Sequence, residues 1–83
     1  MSDPEPGLLD LSGLACPQVV LRLADHMRTL PPGSCLTVVC TDPLSAIDVP
    51  FFLHRAGHEL LAQAREQGSY RFVIRRGPGA ISR

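Results

Sequence analysis

The chain contains no lysine; all eight of its basic residues are arginine, and eight acidic residues bring the formal net charge to +0. No lysine ammonium is at hand to stabilise an anion, and a neutral chain lacks the electrostatic footprint of a nucleic-acid binder. Aromatic residues are scarce, and the one tyrosine and three phenylalanines form no stacking platform by pattern. No apolar run approaches the ~18 residues that span a bilayer, and the acidic, proline-rich start Met1-Ser2-Asp3-Pro4-Glu5-Pro6-Gly7 is unlike a basic-then-apolar signal peptide. The expected location is the cytoplasm. The three cysteines show no Cys-x-x-Cys spacing, which argues against a disulfide framework and a structural metal; no metal or cofactor is expected. At 83 residues and 45% hydrophobic, the sequence fits one globular domain with a lean core that buries roughly two thirds of the unfolded surface.

What the sequence does contain is a thiol at the head of an amphipathic run, Cys16-Pro17. Proline suits the first helical position, since its missing N–H has no intrahelical partner there and its fixed φ already matches the helix. Pro17 is therefore expected at N1, positioning the thiol, with Cys16 at or beside the N-cap. There, unpaired amides and the positive end of the helix dipole favour thiolate over thiol. The dipole supplies about 1 kcal/mol or less, under one pH unit from a starting value near 8.5, so most of the thiol stays protonated at neutral pH. His26 is ten residues further along the same helix, roughly 15 Å away. Unless His54, His58 or an arginine folds back onto this end, Cys16 has no base of its own, and it reads as a group handled by partners rather than a self-sufficient catalyst.

Residues 1–7 read as a disordered leader, 8–77 as the single domain and 78–83 as a flexible tail. Leu8 to Leu11 suggests a short strand closed by Ser12-Gly13. From Pro17 to Leu30, Val20, Leu23, Met27 and Leu30, supported by Val19 and Ala24, recur at helical spacing until Pro31-Pro32-Gly33 stops the run. Cys35 to Thr41 alternates as a strand, with Leu36, Val38 and Cys40 on one face and Cys35, Thr37, Val39 and Thr41 on the other. Asp42-Pro43 reads as the N-cap and N1 of a second helix reaching Ala56-Gly57. Pro50 predicts a kink in it, or a main helix that starts at Pro50 and is capped by Asp48. His58 to Glu66 and Ser69 to Arg76, joined by Gln67-Gly68, predict a final hairpin. The order β-α-β-α-β-β predicts an α+β fold, a two-layer sandwich of a four-stranded mixed sheet with two helices on one face and the other face open.

These residues, namely Leu9-Asp10-x-x-Gly13-Leu14-x-Cys16-Pro17, Pro32-Gly33, Asp42-Pro43, Asp48-Val49-Pro50 and Tyr70-Arg71-Phe72-Val73-Ile74-Arg75-Arg76-Gly77, resemble the TusA (SirA-like) sulfur-carrier family in order and spacing from about Leu8 to Gly77. The resemblance implies a sandwich like the C-terminal domain of bacterial translation initiation factor three. It also implies a small cytoplasmic protein that carries sulfur as a persulfide on the cysteine of a Cys-Pro-x-Pro motif, which is Cys16 here. Sulfur arrives from a cysteine desulfurase or rhodanese and passes to another carrier, for tRNA thiolation, molybdenum-cofactor enzymes or sulfur oxidation. The carrier is sulfurtransferase-type without independent turnover. The chain departs from the motif at its fourth position, where Val19 replaces proline; the first turn loses rigidity and gains an amide donor.

The other thiols read differently. Cys40 is a core residue by its face, and Cys35, on the open face, is left out of the site. Arg71, Arg75 and Arg76 with Arg55 and Arg65 read as solvated surface before a basic patch, and His58 beside Glu59 as an ordinary ion pair. The expected partners are a sulfur donor and a downstream acceptor, with no direct nucleic acid, no membrane and a monomeric state. The rival readings are a non-catalytic adaptor of the same fold, with Val19 as the mark of lost transfer chemistry, and an RNA-binding module.

Overall fold

The computed structural model of the protein describes residues 7–15 and 17–77. Cys16 and the segments 1–6 and 78–83, which hold the expected carrier thiol, nearly all of the leader and the tail, lie outside the described residues. The elements run β1 (Leu8–Leu11), α1 (Gln18–Met27), β2 (Cys35–Cys40), α2 (Ser45–Ala56), β3 (Glu59–Glu66) and β4 (Ser69–Arg75). The strand order is β1-β2-β4-β3, with β1 parallel to β2 and the other two pairings antiparallel. This is the mixed four-stranded α+β sandwich that the alternation of patterns predicts.

One face of the sheet carries the core. Leu11 of β1, Leu36, Val38 and Cys40 of β2, and Phe72 and Ile74 of β4 pack against Val19, Leu23 and Met27 of α1 and Val49 and Leu53 of α2, all within 3% of complete burial. Both helices therefore cover the same face. The hairpin turn Gln67-Gly68 has φ of 37° and 83°, the two positive values of a type I′ turn, whose twist matches that of its strands. A register shift between Leu60 and Ala62 accounts for the uneven alternation of β3.

Three expectations need correction. The first concerns the buried face of α1, which is centred on Val19, Leu23 and Met27, four residues apart, while Val20 is only half-buried; the helix is rotated by one position from the reading that led with Val20. Second, α2 begins later than Asp42-Pro43: Leu44 occupies the N-cap position, and Asp42, whose Oδ1 accepts the Leu44 N–H at 3.1 Å and whose carbonyl accepts the Ser45 N–H at 2.9 Å, opens the turn that leads into the helix. Third, α2 neither starts at Pro50 nor stops before it. Val49 and Leu53 lie on one face, one turn apart, and both are buried, so an unbroken helix across Pro50 is what buries them; that offsets the hydrogen bond proline cannot donate. Just ahead of β1, the Gly7 carbonyl accepts the Thr37 N–H at 2.6 Å. Among the described residues, no helix is long and apolar enough to cross a membrane.

Candidate functional site

The strand register sets Leu11, Cys40 and Tyr70 level with one another at one end of the sheet. There the chain leaves β1 and, within residues 12–17, turns back to enter α1. Three interactions shape that turn. Asp10 Oδ1 accepts the Ser12 hydroxyl at 2.6 Å and the Ser12 N–H at 3.0 Å, and these bonds, the hydroxyl first, hold the Asp10 carboxyl below its ordinary value. Leu14 N–H donates to the Leu11 carbonyl at 3.2 Å. Gly13, at φ +86° where a side chain is disfavoured, donates its amide to Thr41 Oγ1 at 2.9 Å, a bond from the end of the neighbouring strand.

Pro17 is exposed and stands at the N-cap of α1 with φ −91° and ψ 4°, one position earlier than the N1 place expected for it. Its carbonyl accepts the Leu21 N–H at 3.0 Å, and among the described residues no side chain caps the helix. The substituted fourth motif position has a definite consequence. Val19 buries its side chain completely and donates its amide to the Ala15 carbonyl at 3.2 Å, closing a turn whose two ends bracket Cys16 in sequence. A proline at that position has no N–H and cannot close it. The extra donor is thus spent on the backbone rather than left free. No acidic residue stands in the first turn of α1 to oppose the positive end of its dipole.

His58 does not fold back onto this end. It precedes β3, beside the Cys35–Arg75–Glu59 row that closes the opposite end of the sheet, and its Nδ1 accepts the Gly77 N–H at 2.9 Å. Burial first, and then the Arg76 charge, lower its pKa below the ordinary 6.5, which keeps it a neutral acceptor rather than half of an ion pair with Glu59. Glu59 instead accepts Nη2 of Arg75 at 2.8 Å.

The five arginines weighed as a patch are dispersed. Arg71 and Arg75 stand on the open sheet face, and Arg76 donates Nε to the Met27 carbonyl at the end of α1. Arg55 lies over the Phe51 ring at 5.7 Å and Arg65 over Tyr70 at 5.9 Å. Cys35 is exposed at the start of β2, five residues along the strand from the end that leads to the candidate site. Cys40 is buried; burial raises its thiol pKa more than the adjoining Ser45 hydroxyl lowers it. That hydroxyl finds no nitrogen or oxygen partner among the described residues, leaving the thiol as its neighbour. Among the described residues, no group of three or more His, Cys, Asp or Glu side chains could hold a metal.

Sequence reasoning missed two features. One is a largely apolar groove of 330 Å³ between the helices, lined by Pro17, Val20, Asp48, Phe51, Phe52 and Arg55, in which Phe51 is 60% exposed. It adjoins the residue that follows Cys16. The exposure of Phe51 had no signal beyond the four-residue step from Ile47, itself exposed. The other is the bond between Gly13 and Thr41, twenty-eight residues apart, for which local sequence holds no clue.

The residues that build this end fall within a match to known proteins that spans the whole sandwich. The family model described as Sulfurtransferase TusA matches residues 8–76. The chain is 44% identical over 80 residues to the sulfur carrier protein TusA of Pseudomonas fluorescens (strain SBW25), covering 92% of this chain and 96% of that one. It is 42% identical over 76 residues to the sulfur carrier protein TusA of Pseudomonas paraeruginosa (strain DSM 24068 / PA7), with the same coverage of each chain. With the match running from the first residue of β1 to one residue past β4, the chain belongs to the TusA family.

Proposed function

We propose that the protein is a sulfur-relay carrier whose Cys16 thiolate takes a sulfur atom from a donor protein and surrenders it to an acceptor. The observation that carries this reading is the Cys16-Pro17 motif at the entry to α1, within a family match that covers every strand and helix. In the loading step, the Cys16 thiolate attacks the terminal sulfur of a donor persulfide. The donor's S–S bond breaks, the donor leaves as a thiolate, and a persulfide forms on Cys16 with no net oxidation. In the delivery step, an acceptor thiolate attacks that terminal sulfur and Cys16 leaves as the thiolate. The donor class is a cysteine desulfurase or rhodanese, and the acceptor is a further carrier or sulfurtransferase. The destinations in reach of this chemistry are tRNA thiolation, molybdenum-cofactor enzymes and sulfur oxidation, in the cytoplasm, with the carrier acting as a monomer.

Pro17 acts by positioning: it stands at the N-cap of α1, and its carbonyl accepts the Leu21 N–H in the first turn of the helix. His58 is engaged at the other end of the sheet and is not the base for this thiol, whereas Asp48 and Arg55 line the groove with Pro17. The exposed groove beside Pro17 gives a partner that reaches Cys16 an apolar surface to cover.

The test is intact-mass measurement after incubation with a cysteine desulfurase and cysteine. The wild type is expected to gain one sulfur, removable by reductant, and Cys16→Ser to gain none. A wild-type protein that stays at its starting mass contradicts the proposal.

A further inference from the structure

We propose that Thr41 is a positioning residue for the Cys16 thiol, a reading that rests on the carrier role of Cys16. Of the hydrogen bonds that hold residues 12–15 among the described residues, three are local: Ser12 turns back on Asp10 through its amide and its hydroxyl, and Leu14 on Leu11. Those bonds set the curl of the loop but leave its orientation on the sheet open, because donor and acceptor travel together. The bond from Gly13 N–H to Thr41 Oγ1 at 2.9 Å is different in kind. Thr41 follows directly on β2, whose Cys40 is paired in register with Leu11, so its hydroxyl is fixed by the central part of the sheet. Among the described residues, that contact ties the loop to the end of β2.

The consequence travels a short way along the chain. Gly13 is three residues before Cys16 in sequence, and Ala15, whose carbonyl accepts the Val19 amide, stands between them. If the loop swings, Ala15 moves, and the geometry in which the chain enters α1 moves with it. The dipole of α1 acts only within the first turn, so a displaced thiol loses part of a contribution that amounts to less than one pH unit. Thr41 is exposed, and water can bond to Gly13 in its place; the effect is therefore on placement rather than on the survival of the fold. Serine preserves the hydroxyl acceptor, and valine preserves the shape without it.

The experiment compares wild type, Thr41→Val and Thr41→Ser. Alkylation of Cys16 by iodoacetamide is followed against pH on the tryptic peptide ending at Arg22, which contains neither Cys35 nor Cys40. Sulfur loading from a cysteine desulfurase is timed in parallel, and thermal midpoints confirm folding. Thr41→Val is expected to move the alkylation midpoint upward by less than one pH unit and to slow loading roughly three- to tenfold, the effect of one hydrogen bond. Thr41→Ser is expected to stay within about twofold of wild type. A Thr41→Val protein with the wild-type pH profile and loading rate overturns the proposal. So does a Thr41→Ser protein as impaired as Thr41→Val. If wild type itself takes up no sulfur, the carrier reading fails, while the alkylation profile still decides whether Thr41 places the thiol.

Discussion

The two ends of the sheet are built on opposite terms. Beyond Leu11, Cys40 and Tyr70, the chain is held by bonds among exposed groups: Ser12 to Asp10, Gly13 to Thr41, Leu44 to Asp42. Beyond Cys35, Arg75 and Glu59, the connections interlock. Gly33 donates to the Arg76 carbonyl at 3.0 Å, Arg76 donates to the Ser34 carbonyl at 2.8 Å and through Nε to the Met27 carbonyl at 2.8 Å, and Gly77 donates to His58. Gly77 is buried so closely against the Gly57 carbonyl that a Cβ there would run into it. One end closes the sandwich, and the other keeps its loops at the surface, where a partner can meet them. On the proposed carrier role of Cys16, stability and transfer are separated along the strands, and a substitution should disturb one much more than the other.

The widest contrast comes from two glycines. Gly77→Ala forces backbone apart in a packed region, and it is expected to cost about 1 to 3 kcal/mol and lower the melting temperature by roughly 5 to 20 °C. Gly13→Ala meets nothing within 4 Å and bears only the strain of its φ of +86°, a cost of about 1 to 2 kcal/mol. Its sulfur loading is expected to fall further than that of Gly77→Ala measured below both melting temperatures. Equal loss of loading in the two variants would break the comparison.

A smaller effect belongs to the closed end alone. His58 is held neutral in the fold, whereas the unfolded chain takes up a proton near 6.5, so the unfolded state binds more protons below that value. The stability from His58 is complete above about 6.5 and declines as pH falls toward the lowered folded value. Thermal melts at pH 7.5 and 5.5 are expected to show that decline in wild type. His58→Asn, whose side-chain oxygen can still accept the Gly77 N–H, is expected to show less of it. A His58→Asn protein with the full wild-type decline would assign the pH dependence elsewhere.

Much of this division was legible in the sequence, for identifiable reasons. The helical spacing of Leu23 and Met27, the alternation in β2 and β4, and the Gln67-Gly68 turn each specify an element through local chemistry. The Cys16-Pro17 motif marks its own position. The features that escaped depend on distant contacts. Whether Val19 or Val20 leads the buried face of α1 is settled by the sheet beneath it, since either fits the same period. Pro50 argues locally for a break, but the burial of Val49 and Leu53 on one face prevails. His58 beside Glu59 suggests an ion pair, yet the chain end at Gly77 claims the imidazole. The bond from Gly13 to Thr41 joins two segments that nothing in the sequence places together.

The most direct measurement is to locate the transferred sulfur. After loading from a cysteine desulfurase and alkylation of free thiols, tryptic peptides are read by tandem mass spectrometry. The extra sulfur is expected on Cys16, in the peptide ending at Arg22, while Cys35 and Cys40 share a separate peptide and carry none. Sulfur on exposed Cys35, with Cys16 unloaded, would put the chemistry at the wrong end of the sheet and contradict the account.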